Sequence, residues 1–125
     1  MALVLNTGAD KTLLDSRRLI FEHSGHTVVT ASNELDLIQA CKKHDFDVAV
    51  IGQATPADEK RRVMALIRGY CPKIKVLELY SHPMMKILND AEDWLEVPAR
   101  PLELVERVSA LAAKRRSRGQ SGAMG

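Results

Sequence analysis

The sequence predicts an α/β domain on a parallel sheet, a three-layer (βα)5 arrangement with the strand order 2-1-3-4-5. Three observations predict it. Short apolar runs without alternation recur along the chain, as in strands covered on both faces. Each is followed by a turn signal and then by a stretch with helical spacing of its apolar residues. Strict alternation of this kind implies right-handed crossovers and helices on both sides of one sheet.

Leu3-Val4-Leu5 is the first strand and runs into Asn6-Thr7-Gly8-Ala9. Asp10 caps a helix carrying Leu13, Leu14, Arg17, Ile20 and Phe21 at three-four spacing, closed by Ser24-Gly25. The β-branched stretch from His26 to Ala31 is the second strand, and Ser32-Asn33 caps a helix with Leu35, Ile38 and Cys41 on one face. Asp47 to Ile51 is the third strand, ending at Gly52. Val63, Leu66, Ile67 and Tyr70 mark the helix after it, which Cys71-Pro72 stops. Lys75 to Leu79 is the fourth strand, Pro83 to Leu88 a short helix, and Trp94 to Val97 the fifth strand. Pro101 opens the last helix, with Leu104, Val105, Val108, Leu111 and Ala112 turned to the core.

A chain of 125 residues that is 46% hydrophobic and 27% charged suits one globular domain. The domain is expected over residues 1–116, with 117–125 as a disordered tail of small and polar residues. Setting aside Lys114, Arg115, Arg116 and Arg118 leaves 14 basic against 16 acidic residues, so no nucleic-acid footprint is expected on the fold. The basic end itself reads as a solvated helix terminus. Aromatics are only 4%, which disfavours functions built on stacked rings. Cys41 and Cys71 lie far apart with no CxxC spacing, which argues against a disulfide framework and a zinc site, and for a cytoplasmic location. The first apolar run breaks at Asn6, so neither a leader nor a membrane span is expected. His23, His26, His44 and His82 read as solvated.

The loop spacing, the Gly25 helix end, Val28-Val29-Thr30-Ala31-Ser32-Asn33, Pro56 after the third strand and Val97-Pro98 after the fifth carry a family resemblance. Over residues 2 to 115 the chain resembles a response-regulator receiver domain, with the flavodoxin-like (CheY-like) fold. The resemblance implies a Mg²⁺-binding acidic pair after the first strand, a phosphoacceptor Asp after the third, a Thr or Ser after the fourth, and a Lys before a cis-proline. In this sequence those positions fall on Gly8 and Ala9, Gly52, Tyr80 and Val97. None can do the work. Mg²⁺ needs hard oxygen ligands, and phosphoryl transfer needs an acceptor oxygen with cations to offset the developing charge. The expectation is a degenerate, phosphorylation-independent receiver-like module with no enzymatic activity, no cofactor and no metal. Two alternatives stand beside it: an ordinary phosphoaccepting regulator, and a small-ligand sensor using the room left at Gly8, Ala9 and Gly52.

Asn6 to Thr12 places a glycine near a helix N-terminus but lacks the GxxxxGK[ST] spacing of a phosphate loop, and a permissive turn explains Gly8. Glu78 lies inside a central strand, where a carboxylate must be paired; a nearby lysine is the expected partner. Trp94 takes the place of the family's aromatic switch, with Tyr80 filling the space the ring would enter. Met84, Met85, Ile87 and Trp94 then mark the expected interaction face, since Met and aromatic residues are enriched in interface cores. The partner expected is a protein: a histidine kinase, an effector, or a second copy of the chain.

Overall fold

Among the described residues, five strands and four α-helices follow one another along the chain: β1 (Leu3–Thr7), α1 (Lys11–His23), β2 (Thr27–Ala31), α2 (Glu34–Lys43), β3 (Val48–Ile51), α3 (Ala57–Tyr70), β4 (Lys75–Tyr80), β5 (Asp93–Glu96) and α4 (Pro101–Met124). This computed structural model describes the backbone of residues 1–124 and the side chains of residues 1–116. The tail expected over 117–125 falls outside the residues described at side-chain level.

The sheet is wholly parallel in the order β2-β1-β3-β4-β5, as the alternation predicts. Chain order reverses between β1 and β3, whose registers pair Asn6 with Val50 and Thr7 with Ile51. The carboxyl ends of these two strands are therefore the crevice where ligands sit in such sheets. One face is covered by α2 and α3 through Leu37, Cys41, Met64 and Ile67. The other is covered by α1 and α4 through Phe21, Leu104, Val108 and Leu111. On α2 the inward stripe is Leu37, Ala40 and Cys41, while Leu35 is 65% exposed, one position off the expected face.

Local capping follows the sequence signals. Asp10 Oδ1 accepts from Leu13 N at 3.1 Å and Asn33 Oδ1 from Asp36 N at 2.9 Å. Gly25 has φ +92°, the left-handed region that ends α1. The Val97–Pro98 peptide is cis.

The fourth βα unit differs from expectation. Instead of a helix from Pro83 to Leu88 there is a single 3-10 turn, Pro83–Met85, followed by irregular chain. The cause is Glu78. Its carboxylate accepts from Ile87 N at 3.1 Å and Leu88 N at 2.9 Å, satisfying donors that a helix would have used internally. Lys60 completes the arrangement. Its ammonium, wholly buried, donates to Glu78 Oε2 at 2.9 Å, Leu79 O at 2.9 Å and Met85 O at 3.0 Å. The lysine expected to partner Glu78 is thus Lys60; all three donors of the ammonium are used and both carboxylate oxygens have partners.

Candidate functional site

The strand ends that form the crevice are polar and buried. Asn6 and Thr7 close β1 with their side chains inside the protein. Thr7 Oγ1 donates to Val50 O at 2.9 Å. Asn6 Nδ2 donates to Leu14 O at 3.0 Å and Thr30 Oγ1 at 3.3 Å, which fixes the amide and turns Oδ1 toward α1.

Arg17 answers that oxygen. It sits on the inward stripe of α1 between Leu14 and Phe21 and is 4% exposed. Its Nη1 donates to Asn6 Oδ1 at 2.7 Å and to Thr7 O at 3.0 Å. The guanidinium lies over the two glycines. A Cβ on Gly52 would meet Arg17 Nη2 at 2.7 Å and Thr7 O at 3.1 Å, and one on Gly8 would meet the same nitrogen at 3.6 Å. Gly52 N itself donates to Thr7 O at 3.1 Å, so that carbonyl ties the strand end, the glycine and the arginine together. Burial pushes the Arg17 guanidinium down to about 10, against the opposing field of Asp10. The group still carries its charge at neutral pH.

The other positions implied by the resemblance, Tyr80 and Val97, fall at the same carboxyl end of the sheet. Val97 N donates to Tyr80 O at 2.8 Å, extending the β4–β5 pairing beyond the strands. Lys86 lies over both aromatic rings, 5.9 Å from the Tyr80 centroid and 5.0 Å from that of Trp94. Trp94 Nε1 donates to Leu88 O at 2.9 Å, and the half-buried ring packs against the core. Its hydrogen bond and the cation above it favour one orientation.

The arrangement offers no acceptor for a phosphoryl group at Gly52. Ala9 and Asp10 are exposed, and Asp10 is occupied as the cap of α1. The residues at the positions implied for Mg²⁺ do not fit it, because a fixed cation stands where the ion would need carboxylates. Among the described residues no three His, Cys, Asp or Glu side chains gather to hold a metal. The room expected at Gly8, Ala9 and Gly52 is also smaller than the missing side chains suggest. Arg17 Nη2 lies 2.7 Å from where a Cβ on Gly52 would stand, so the guanidinium takes part of that room, and a small cleft of about 30 Å³ lies beside Thr7, Gly8 and Thr55.

Of the expected interaction face, Met84 is 82% exposed, whereas Met85, Ile87 and Trp94 are half-buried. Ile87 and Trp94 belong to the core that lies under α3. The face is a loop and a strand edge, with only the 3-10 turn where a helix was expected.

Three further readings of the sequence are corrected. Cys41 and Cys71 are disulfide partners with a Cα–Cα distance of 5.8 Å, because α2 and α3 lie side by side and end level with each other. His26 is buried, its Nδ1 accepting from Ala2 N at 3.0 Å. The basic end of α4 is anchored: Arg115 reaches Asp45 at 2.6 Å and Asp47 at 3.1 Å, and Arg116 reaches Asp47 at 3.1 Å. Asp47 accepts from Leu3 N as well, so the start of the sheet and the last helix share one carboxylate. Arg17 was visible in the sequence as a charge on an apolar stripe; the Asp47 cluster had no local signal.

No family model matches the sequence, and no curated protein matches it. Solved structures do. A CheY-like response-regulator receiver domain from Methanospirillum hungatei superposes with a TM-score of 0.80 at 17% identity, covering 94% of this chain and 98% of that one. The receiver domain of the Francisella response regulator 1452 gives 0.76 at 22% identity, covering 91% and 98%. The receiver domain of a Pseudomonas aeruginosa sensor histidine kinase, with a magnesium ion coordinated in its active-site cleft, gives 0.77 at 11% identity, covering 90% and 98%. The fold is therefore the flavodoxin-like, CheY-like fold of receiver domains. No helix among the described residues is long and apolar enough to cross a membrane.

Proposed function

We propose that this chain is a receiver-like module of two-component-type signal transduction that acts by protein contact, without accepting a phosphoryl group and without an enzymatic step of its own. The observation that carries the reading is Arg17. Its buried guanidinium bonds the end of β1 and lies against Gly8 and Gly52, so the space of the implied phosphorylation site is taken by the protein's own cation. A side chain anchored by two hydrogen bonds supplies that positive charge permanently, where phosphoryl chemistry requires an exchangeable ion and an acceptor oxygen.

The partner in this reading is a protein of a phosphorelay, a histidine kinase or an effector, met in the cytoplasm through the surface around Met84. Because Trp94 and Ile87 also hold the core, Met84→Asp is the variant that changes the surface alone. Incubating the full chain with a small phosphodonor and Mg²⁺, then measuring intact mass, tests the central claim. No adduct is expected. A base-labile phosphoryl adduct would overturn it.

A further inference from the structure

At the edge of the sheet opposite the crevice, α2 and α3 end beside each other. Cys41 lies in the last turn of α2 and Cys71 caps the end of α3, and the two form a disulfide across 30 residues of chain. Cys41 and Cys71 are 7% and 8% exposed and belong to the core under α2 and α3, but they stand at its border. Cys41 and Cys71 line an open cleft of about 350 Å³ together with Lys42, Lys43, His44 and Lys73. The one acid of the lining, Asp45, is engaged by Arg115. The cleft therefore presents an excess of positive charge beside a sulfur–sulfur bond.

Two helix C-termini direct their carbonyl dipoles at this point, which opposes negative charge there. The lysines offset that field. They favour both the approach of an anionic reagent and the thiolate that leaves when the bond is cut. We propose that Cys41 and Cys71 are a reversible dithiol–disulfide couple, reduced and reoxidised by a small anionic thiol of the glutathione type that enters the lysine-lined cleft.

The exchange balances with two molecules of that thiol. The first attacks as thiolate, a mixed disulfide forms, the Cys41–Cys71 bond breaks, and the departing cysteine takes up a proton from solvent. The second attacks the mixed disulfide, frees the other cysteine, which is protonated in turn, and leaves as the oxidised small disulfide. Two electrons pass from the two thiols to the protein pair, and oxidation runs the same steps in reverse. The consequence in the fold is local: the covalent tie between α2 and α3 is made or released while the crevice at the far edge is untouched.

The test uses the full chain, equilibrated in buffers of graded reduced-to-oxidised glutathione ratio, quenched by alkylation and weighed intact. The expected result is a reversible passage from a doubly alkylated species to an unalkylated one whose mass is two hydrogens below that of the unmodified dithiol chain. Two thiols that persist in excess oxidised glutathione would overturn the proposal, as would a disulfide that native protein retains in excess reduced glutathione. Cys41→Ser and Cys71→Ser each leave one thiol, and at least one of them is expected to take up a single glutathione. Failure of both would show the cleft closed to the reagent and would also overturn it. The charge is tested by Lys42→Glu/Lys73→Glu, which should slow reduction by both glutathione and 2-mercaptoethanol, since each attacks as thiolate, but slow glutathione more, on the order of tenfold at low ionic strength, because its carboxylates make it the more negative reagent. An equal fold-slowing of the two reagents in the variant would overturn the assignment to an anionic thiol.

Discussion

Lys60 Nζ lies 2.9 Å from Glu78 Oε2 with both side chains fully removed from solvent, and between them they hold the chain from Met85 to Leu88 against α3 and β4. Removing one partner strands the other's charge in the interior. Lys60→Met and Glu78→Leu are each expected to cost about 3–5 kcal/mol in urea unfolding, and the double variant much less than their sum. In the double variant the amides of Ile87 and Leu88 should lose their hydrogen-exchange protection. Additive losses would show that the two charges do not act as a pair.

The glycine under Arg17 makes a second prediction. A methyl group at position 52 would meet Arg17 Nη2 at 2.7 Å and the Thr7 carbonyl at 3.1 Å, so Gly52→Ala should destabilise by about 1–3 kcal/mol. Part of that cost should vanish in an Arg17→Ala background. Gly52→Asp restores an acceptor in name, but its carboxylate would be captured by the guanidinium. Intact mass after treatment with a phosphodonor and Mg²⁺ should show no adduct on that variant.

His26 links stability to pH. Burial holds its pKa below the ordinary value, helped by the N-terminal charge and Arg116 and opposed by Asp47, and the neutral ring accepts from Ala2 N. The unfolded state therefore binds the extra proton first. The contribution is complete above the unfolded-state value of about 6.5 and is lost as pH falls from there through the lower folded-state value. Melting temperatures measured from pH 8 to pH 5 should fall more steeply for wild type than for His26→Asn, which keeps an acceptor but cannot titrate. Parallel curves would remove His26 as the cause.

The disulfide closes a loop across 30 residues. Loop-closure entropy for that length gives about 3–4 kcal/mol, so oxidised protein should melt on the order of 10 °C above the reduced protein or the Cys41→Ser/Cys71→Ser variant. Calorimetry of the two states checks this. Equal melting temperatures would mean that reduction leaves α2 and α3 as firmly joined as before.

Most of the architecture was legible because it is written locally. Apolar runs, caps at Asp10 and Asn33, and the Gly25 stop each act within a few residues, and their repetition determined the sheet order. The missing fourth helix was not legible. It depends on Glu78 and Lys60 meeting across 18 residues, which no periodicity reveals. At the site, spacing picked out Gly8, Ala9, Gly52, Tyr80 and Val97 as the positions the resemblance implies, but it could not show that Arg17 packs over Gly8 and Gly52. Arg17 appeared only as an odd member of an apolar stripe, and its target, Asn6, looked like a turn residue. The cysteine pair was misread for the same reason: sequence separation hides that two parallel helices end at the same height.

The Asp47 carboxylate has a consequence for handling the molecule. It receives Leu3 N near the beginning of the chain and Arg115 and Arg116 near the end, and Arg116 also bonds the Met1 carbonyl. Both ends of the described core thus leave from one side, where the strands begin, and the crevice with Arg17 opens on the other. A tag, a fluorophore or a fused protein attached at either end should stand clear of the crevice. A short polar linker from α4 back to β1 would join neighbouring points, making the chain a natural subject for circular permutation, with new ends opened in exposed loops.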